Sequence, residues 1–395
     1  MSKRRRKHQS KRTKAARPRF AKAKRGVTLI KVMGVGGGGG NAVSRMMEGN
    51  RIRGVEFMAV NTDAQDLNHT SAHHKIYIGK ALTRGLGAGM NPDIGKQAAE
   101  ENRSELIESL EGTDIVFLTA GFGGGTGTGA TPIIAEAARE KGILTIAIVT
   151  KPFTFEGAER ARIAHEGLAN LKDKVDALVV IPNDSIFNLI NKDTSVARAF
   201  GFVDDVLEQA VQAITEIINV PGLINVDFAD IKAVVKDAGP TLIGIGVASG
   251  PERSLKAVNL ALNSPLLEIS VEGAKRALFS IAGGRDLKMS EVNDIAKAIS
   301  TNLDPNAKII FGAYHDRNLK DKALKVTVIA AGFNGILGGT RMGGIPSLFV
   351  SSEPRRVPVI ENEDVKEEAP GPKEKKTKKE DSNWDIPAFL RRKRR

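Results

Sequence analysis

The chain has 395 residues, of which 41% are hydrophobic and 27% are charged, and it contains 41 glycines and no cysteine. This length is enough for two packed domains with tails, and the lack of cysteine excludes disulfides, thiolate metal sites and cysteine nucleophiles. The apolar runs are far shorter than the ~20 residues that a membrane-spanning helix needs, and none follows the basic start as in a secretory signal.

The formal net charge of +13 is located in the tails. Residues 1–25 hold 13 Lys and Arg and no acid, residues 391–395 are all basic, and the body between residues 26 and 352 is mildly acidic. Because residues 1–26 have too few apolar groups to offset the entropy of ordering, we predict a basic disordered arm. Such an arm either binds polyanions, including nucleic acid and anionic lipid, or is solvated without a specific partner. An Arg-rich start without acids also fits organellar targeting.

Apolar runs alternate with helical stretches after this arm. Near-continuous apolar strands that alternate with helices are typical of a parallel, doubly wound sheet of the Rossmann type. We therefore expect an α/β domain over residues 27–195. The predicted strands of this domain are 27–33, 55–60, 114–119, 143–149 and 177–181.

A long central helix is predicted at residues 196–220. Apolar residues recur there every three or four positions, which indicates one buried stripe, and Pro221-Gly222 ends the pattern. A loop at residues 221–228 connects this helix to the rest of the chain.

A second domain of α+β type, with a mixed sheet, is predicted at residues 229–350. It contains a helix at 290–301 that we expect to be capped by Ser290. A charged linker at 351–383 and a closing peptide at 384–395 follow, and both tails are expected to be disordered. The predicted strands of the second domain are 241–247, 266–271, 276–281, 308–314 and 324–331.

A glycine-rich run follows the first predicted strand. Residues Gly34 to Asn41 let a backbone approach a phosphate, and the helix that follows offers free N–H groups. Gly34, Gly36 and Gly39 match the dinucleotide-binding pattern, and Asp63 stands after the second strand, where a ribose hydroxyl would be bound. This run alone fits a nicotinamide-dependent oxidoreductase. It contains no Gly-Lys-Ser/Thr motif, which excludes a P-loop.

A second glycine-rich run decides between these interpretations. Residues Gly121 to Gly129 again lie between a predicted strand and a helix, and two such turns can hold a triphosphate, whereas a dinucleotide fold needs one. Their string Gly-Gly-Gly-Thr-Gly-Thr-Gly is the tubulin signature. From Val27 to Phe349 the chain resembles the tubulin/FtsZ family of GTPases, in particular its bacterial cell-division members. Phe122 departs conservatively from the methionine common in bacterial members.

The resemblance implies a GTP-binding site. Residues 85–92 resemble the loop that faces the γ-phosphate, and Asn183 and Asp205 would bind guanine, whose N1–H and N2–H₂ donors suit their oxygens. Glu156 and Arg160 would lie near the ribose; alternatively they form an i, i+4 surface pair. The implied cofactors are GTP/GDP and Mg²⁺, with K⁺ as a further candidate. The residues expected to bind GTP are Gly37, Gly38, Gly39, Gly40, Asn41, Asp63, Gly124, Gly125, Thr126, Gly127, Thr128, Glu156, Arg160, Asn183 and Asp205.

The loop after the central helix carries Asn225, Asp227 and Asp230. From the residues alone, Asp227 is a helix N-cap and Asp230 an acid of the first turn. In the family this loop enters the nucleotide site of the adjacent subunit. The resemblance therefore implies that the two acids orient or polarise the attacking water and that Asn225 positions the γ-phosphate or its cation. It also implies a homopolymer that assembles head to tail into the filaments of the cell-division ring and hydrolyses GTP only after assembly.

The closing peptide places apolar anchors on an otherwise solvated chain, at Asp385, Ile386, Pro387, Phe389 and Leu390. It resembles the family's C-terminal peptide, which docks on membrane-tethering and regulatory division proteins. The basic residues beside it would reinforce contact with acidic partners or lipid. The resemblance thus implies a cytoplasmic protein at the mid-cell division site, on the inner face of the membrane.

Other functions make different demands on the sequence. A nicotinamide oxidoreductase needs a catalytic acid or base in the second domain, where no convincing candidate stands out. A nucleic-acid-binding protein needs a basic body with stacking aromatics, whereas this body is mildly acidic and aromatics are 5% of the chain. His69, His73 and His74 cluster, but a zinc site needs further ligands close by, so we interpret this segment as a polar loop.

Overall fold

The computed structural model describes residues 28–333 apart from 50–51, 192, 265–269, 317–318 and 321. The predicted basic arm, the charged linker and the closing peptide with Asp385, Ile386, Pro387, Phe389 and Leu390 lie outside the described residues. Within the described part of the chain, no helix is long and apolar enough to cross a membrane.

Ten strands form one sheet. They are β1 Ile30–Val35, β2 Val55–Asn61, β3 His74–Tyr77, β4 Ile115–Gly121, β5 Leu144–Lys151, β6 Ala177–Pro182, β7 Gly239–Ser249, β8 Arg276–Gly283, β9 Lys308–His315 and β10 Ala323–Ala331. Their spatial order is β3-β2-β1-β4-β5-β6-β7-β10-β8-β9.

The sheet has two parts of different character. Strands β1 to β6 all pair in parallel, whereas β10 lies antiparallel between β7 and β8, and β8 pairs in parallel with β9. The two parts meet through only two residue pairs, Ala177 with Gly239 and Leu178 with Pro240. This arrangement confirms the predicted fold class, a Rossmann-like parallel sheet followed by an α+β part with a mixed sheet.

Helices cover both faces of the parallel part, as the apolar strands require. The helices are α1 Gly36–Gly49, α2 Ala64–His69, α3 Lys80–Thr83, α4 Pro92–Glu101, α5 Arg103–Ser109, α6 Thr126–Glu140, α7 Ala158–Leu171, α8 Val196–Asn219, α9 Phe228–Val235, α10 Arg253–Leu262 and α11 Met289–Asn302. Alternate residues of β1 enter opposite cores. Ile30 and Val32 pack with α1 and α8, and Met33 and Val35 pack with α4 and α6.

Helix α8 is the longest element and separates the two parts. Its 24 residues span about 36 Å at ~1.5 Å per residue. Leu207, Val211 and Ile214 lie on the stripe that enters the core of the parallel sheet. The helix begins after Ser195, whose hydroxyl accepts a hydrogen bond from the N–H of Arg198, and it ends before Pro221. The predicted stripe and stop signal are thus both present.

Some predicted element boundaries are wrong. Helix α1 begins at Gly36 rather than at Asn41. Helix α11 begins at Met289, and the Glu291 carboxylate accepts the N–H of Lys288 at 2.9 Å, so Ser290 lies inside the helix. Strand β3 was not predicted. The strand expected at 266–271 falls mostly outside the described residues, and its last two positions are not in a strand.

Candidate functional site

The two glycine-rich turns lie against each other at the carboxyl ends of the neighbouring strands β1 and β4. A Cβ atom placed on Gly36 would lie 2.9 Å from the backbone nitrogen of Gly127, and one on Gly38 would lie 3.4 Å from the Cα atom of Gly121. Helices α1 and α6 begin at these turns, so the free N–H groups of two helix N-termini converge on one cleft. Such a pair of turns can bind a chain of phosphates.

Individual glycines of the turns have different roles. A Cβ atom on Gly39 would stand 2.3 Å from the carbonyl oxygen of Thr119, and one on Gly127 would stand 2.7 Å from that of Gly121. These two positions therefore accept no side chain without backbone movement. Gly124 differs, because no described residue lies within 4 Å of its Cβ position. Its Cβ position therefore points into open space.

A third loop, residues 85–91, lies over the second glycine-rich turn. The N–H of Gly125 donates to the carbonyl oxygen of Gly89 at 3.0 Å. Asn91 ends the loop and caps α4, because its side-chain oxygen accepts the N–H of Asp93 at 2.9 Å. The segment that the resemblance assigned to the γ-phosphate thus borders the turn that begins α6.

The predicted residue Asp63 lies beside this loop but also caps α2. Its Oδ1 accepts the N–H groups of Gln65 and Asp66 at 2.9 and 3.0 Å. Sequence reasoning missed Asp66, whose Oδ2 lies 3.2 Å from the Cβ position of Gly37 and accepts from Asn61 at 2.7 Å. The only signal was its position one helical turn after Asp63.

Buried hydroxyl groups support the floor of the cleft. Thr62 and Thr126 share a hydrogen bond of 2.6 Å between their hydroxyl oxygens, and Thr128 accepts the N–H of Gly123 at 3.0 Å. Both threonines of the signature string therefore hold the second turn in place. Thr62 was not predicted as part of the site.

Glu156 and Arg160 form an ion pair at the rim of the second turn, with 2.5 Å between Oε2 and Nη1. The other Glu156 oxygen accepts the N–H of Phe153 at 2.9 Å. A Cβ atom on Gly123 would lie 2.9 Å from the carbonyl oxygen of Arg160, so the start of α7 touches the turn. The pair thus borders the second turn, and its contacts are those of an i, i+4 ion pair that also caps the short helix after Phe153.

Asn183 is a buried side chain with an unused acceptor. It is 6% exposed, and its Oδ1 has no hydrogen-bond partner among the described residues. Its neighbour Asp184 accepts the N–H of Thr154 at 3.0 Å, and the Phe153 ring lies edge-on to Phe200 of α8 at 5.2 Å. The β6 end, the segment after β5 and the start of α8 therefore lie against one another, and the unpaired oxygen is buried at the β6 end.

Asp205 is paired with Arg45 across the α1–α8 contact, with 2.7 Å between Oδ1 and Nε. This hydrogen bond raises the pKa of Arg45. The adjacent Asp204 is more enclosed, and burial raises its pKa to about 6. Sequence reasoning missed Arg45, which lies 160 positions before its partner. One Asp205 oxygen is thus committed to a structural ion pair.

The three residues predicted to be catalytic lie at the far end of α8. Asp227 caps α9, with its Oδ1 accepting the N–H of Asp230 at 2.8 Å, as the residues alone indicated. The Asn225 side chain accepts the N–H of Gly222 at 2.6 Å. Because α8 spans about 36 Å, the structure does not bring these residues to the glycine-rich turns of the same chain.

The histidine segment has internal partners. His73 accepts the N–H of Phe57 at 2.9 Å, and His74 lies 2.7 Å from Glu56. Across the described part of the chain, no three His, Cys, Asp or Glu side chains converge on one point. The interpretation as a polar loop is therefore wrong for two of the three residues, because His69 ends α2 and His74 begins β3 at the sheet edge.

Comparisons with known proteins agree with this geometry. Residues 29–191 match the family model described as the tubulin/FtsZ family GTPase domain, and residues 239–334 match the FtsZ family C-terminal domain. FtsZ from M. jannaschii, solved as an empty dimer, is 45% identical with a TM-score of 0.72, over 77% of this chain and 88% of that one. A single-substitution variant of that protein is 46% identical, with a TM-score of 0.73, over 78% and 92%.

A more distant structure shares the fold. CetZ2 from Haloferax volcanii, solved as a GTPγS-bound protofilament, is 21% identical with a TM-score of 0.66, over 77% of this chain and 92% of that one. The two family models and the M. jannaschii structures together exclude the nicotinamide oxidoreductase interpretation. The chain belongs to the FtsZ family within the tubulin/FtsZ GTPases, and it is a guanine-nucleotide-binding GTPase of the cytoskeletal polymer class.

Proposed function

We propose that this chain assembles head to tail into the filaments of a cell-division ring and that each GTP is hydrolysed between two subunits. One subunit supplies the glycine-rich cleft, and the next supplies the loop with Asn225, Asp227 and Asp230. The observation that supports the proposal is that the glycine-rich turns and this loop lie at opposite ends of α8, about 36 Å apart by helix length. A single chain holds both halves but cannot join them.

Each half fits a distinct part of the chemistry. The N–H groups of the two glycine-rich turns would hold the phosphates, and the unused Asn183 oxygen would accept a hydrogen bond from guanine. Asp227 and Asp230 of the adjacent subunit would orient the attacking water, and Asn225 would help position the γ-phosphate. Phosphoryl transfer depends mainly on positioning and charge stabilisation, so two half-sites that meet only in the filament make hydrolysis follow assembly.

Mg²⁺ is expected to enter with the nucleotide. Where the structure describes the chain, no cluster of three acidic or histidine ligands exists, and Mg²⁺ commonly takes most of its ligands from phosphates and water. Asp66 beside Gly37 offers one carboxylate within the cleft. K⁺ remains a further candidate for the junction between subunits.

Exposed apolar side chains occur at both halves of the divided site. Leu86 is 85% exposed and Phe155 67% exposed near the glycine-rich cleft, and Leu223 is 76% exposed in the acidic loop. Large apolar side chains left in water at two different surfaces suit a heterologous, head-to-tail contact, which generates open filaments. The empty dimer formed by the M. jannaschii relative also supports self-association.

The cellular setting of the filament follows from the tails. The peptide Asp385 to Leu390 would dock on membrane-tethering and regulatory division proteins, which places the filament at mid-cell on the cytoplasmic face of the membrane. The basic arm 1–26 would add weak contact with nucleic acid or anionic lipid. A bacterial origin and these partners rest on the resemblance of the sequence.

Phosphate release against protein concentration tests the proposal. With GTP and Mg²⁺ in excess and 90° light scattering recorded alongside, the rate per molecule should be near zero below a critical concentration and rise together with scattering. A rate per molecule that does not depend on concentration would mean that one chain holds a complete site, and the divided-site mechanism would be wrong.

A further inference from the structure

We propose that Glu216, held by Tyr314 and Lys325, is a positioning residue for the acidic loop and sets the GTP hydrolysis rate of the neighbouring subunit. This inference rests on the proposed function, because it concerns the loop that completes the adjacent site. Glu216 lies in the last turn of α8, on the opposite end from the nucleotide cleft.

Glu216 joins α8 to the mixed sheet. Its Oε2 accepts the Tyr314 hydroxyl of β9 at 2.8 Å and the Lys325 ammonium of β10 at 2.6 Å. Its Oε1 accepts the side-chain amide of Gln212 at 2.6 Å. Glu216 and Lys325 are mostly buried and Tyr314 is buried, so both carboxylate oxygens are used in a low-dielectric setting where geometry is tightly held.

The acidic loop rests on the same strand. Ala313, next to Tyr314, accepts the N–H groups of Leu223 and Ile224 at 2.7 and 3.0 Å and donates to the Ile224 carbonyl oxygen at 3.0 Å. A Cβ atom on Gly222 would lie 2.5 Å from the Ala313 carbonyl oxygen. The loop is therefore attached to β9 directly beside the point where Glu216 attaches α8.

These two attachments form a closed ring. It runs from Glu216 through Tyr314 and Ala313 to Ile224, and back along the chain to the end of α8. Asp227 follows Ile224 by three residues and starts α9. Release of the Glu216 side chain would let the end of α8 and β9 shift relative to each other, and the loop would shift with them. The glycine-rich cleft, one helix length away, would be unaffected.

The consequence for catalysis is specific. A positioning error of about 1 Å costs up to ~100-fold in rate when reacting groups must be aligned. We therefore expect Glu216→Gln to lower phosphate release per polymerised subunit by about 10-fold, with GTP affinity below the critical concentration unchanged. Tyr314→Phe, which removes one hydroxyl and no charge, should lower the rate less but in the same way. If Glu216→Gln does not assemble, the phosphate release of Tyr314→Phe tests the positioning role instead.

Glu291→Gln is the matched control. The Glu291 side chain is 16% exposed and the Glu216 side chain is 17% exposed. Each carboxylate pairs with a largely buried cation, Glu291 with Arg253 at 2.7 Å and Glu216 with Lys325 at 2.6 Å. The hydrogen bonds of Glu291 join α10 to α11, and among the described residues none of them reaches the acidic loop. This variant should melt at a lower temperature yet hydrolyse GTP at the parental rate per polymerised subunit.

A double-mutant cycle separates positioning from general damage. If Glu216 acts through the loop, Glu216→Gln adds no loss to a chain that already carries Asp230→Ala, because both changes affect the same step. The inference is wrong if the double variant hydrolyses GTP more slowly than Asp230→Ala by the full factor that Glu216→Gln causes alone. It is also wrong if both Glu216→Gln and Tyr314→Phe hydrolyse GTP at the parental rate, or if their GTP affinity falls together with the hydrolysis rate. If Asp230→Ala alone keeps full hydrolysis, the proposed function fails instead.

Discussion

Asp227 and Asp230 hydrogen-bond each other's backbone at the start of α9. The N–H of Asp230 donates to Asp227 Oδ1 at 2.8 Å, and the N–H of Asp227 donates to Asp230 Oδ2 at 3.3 Å. Each carboxylate therefore uses one oxygen to build the helix start, and no hydrogen bond within the described residues uses its other oxygen. The structural and the proposed catalytic role do not compete.

Asparagine and alanine substitutions should separate these two roles. Asp227→Asn and Asp230→Asn keep a capping oxygen but remove the charge, so polymers should form and persist while phosphate release per subunit falls strongly. Asp227→Ala should also lower the free energy of unfolding by about 1 kcal/mol. Phosphate release and thermal melting measure the two effects. If the asparagine variants hydrolyse GTP normally, the pair serves only as a cap.

Alanine substitutions at Gly124 and Gly127 should differ in their effects on stability and on GTP binding. Alanine at Gly127 places a Cβ atom 2.7 Å from a carbonyl oxygen, so we expect a stability loss of ~1–3 kcal/mol, read by chemical denaturation. Alanine at Gly124 meets no neighbour in the described part of the chain and should leave stability unchanged. It should nevertheless weaken GTP binding about 10-fold or more, because it occupies space beside the phosphates. Normal GTP affinity in Gly124→Ala would place the phosphates elsewhere.

Asn183 should determine the choice of base. Its buried Oδ1 has no hydrogen-bond partner among the described residues, so Asn183→Ala should weaken GTP binding by roughly 10- to 100-fold and leave ATP binding unchanged. The nucleotide-free chain should melt at nearly the parental temperature. Asn188, exposed in the same short 3₁₀ segment at 183–188, provides the control variant Asn188→Ala. Equal losses for GTP and ATP would contradict this assignment.

Asp204 should make the folded chain less stable as pH rises, which is the opposite of the usual effect of an aspartate. Burial raises its pKa to about 6 from the usual 3.8, so between these values the folded chain holds a proton that the unfolded chain has lost. Its contribution to stability is therefore present at low pH and is lost as pH rises through about 6. Asp204→Asn should be more stable than the parent at pH 7 by on the order of 1–2 kcal/mol. Chemical denaturation at pH 4 should show a smaller difference in the free energy of unfolding between Asp204→Asn and the parent. A difference that is the same at pH 4 and pH 7 would contradict the raised pKa of Asp204.

The closing peptide should govern recruitment without governing assembly. Combined substitution of Ile386, Phe389 and Leu390 by alanine should leave light scattering with GTP unchanged and abolish the mid-cell position of a fluorescent fusion, because apolar anchors carry such docking. Substitution of the basic residues 391–395 by glutamine is the companion variant. If only the glutamine variant loses its mid-cell position, contact of the basic residues with anionic lipid, rather than docking in a peptide groove, is responsible for recruitment.

Much of the fold was predictable because its strands are buried on both faces. Ile30 to Val35 is apolar apart from Lys31, Leu144 to Val149 is apolar apart from Thr145, and the buried stripe of α8 repeats with helical spacing. The two glycine-rich turns were also predictable, because close backbone contacts at positions such as Gly39 exclude every side chain and so require glycine in the sequence.

Other features depend on contacts that no local pattern records. Strand β3 has four residues, half of them polar, and lies at the sheet edge. Helix α1 begins within a run of glycines, which are poor helix formers, because packing against α6 rather than propensity fixes its first turn. The Arg45–Asp205 and Glu216–Tyr314 contacts join residues 160 and 98 positions apart, so only the tertiary structure reveals them.

A subunit-mixing experiment tests the divided site most directly. Asp230→Asn damages only the loop half and Gly124→Ala only the cleft half, so each variant alone should hydrolyse GTP poorly at limiting GTP. In an equal mixture, random head-to-tail assembly pairs an intact cleft with an intact loop at about a quarter of the junctions. We expect phosphate release to recover to about a quarter of the parental rate per polymerised subunit. A mixture that releases phosphate no faster than the average of the two variants would show that each chain works alone.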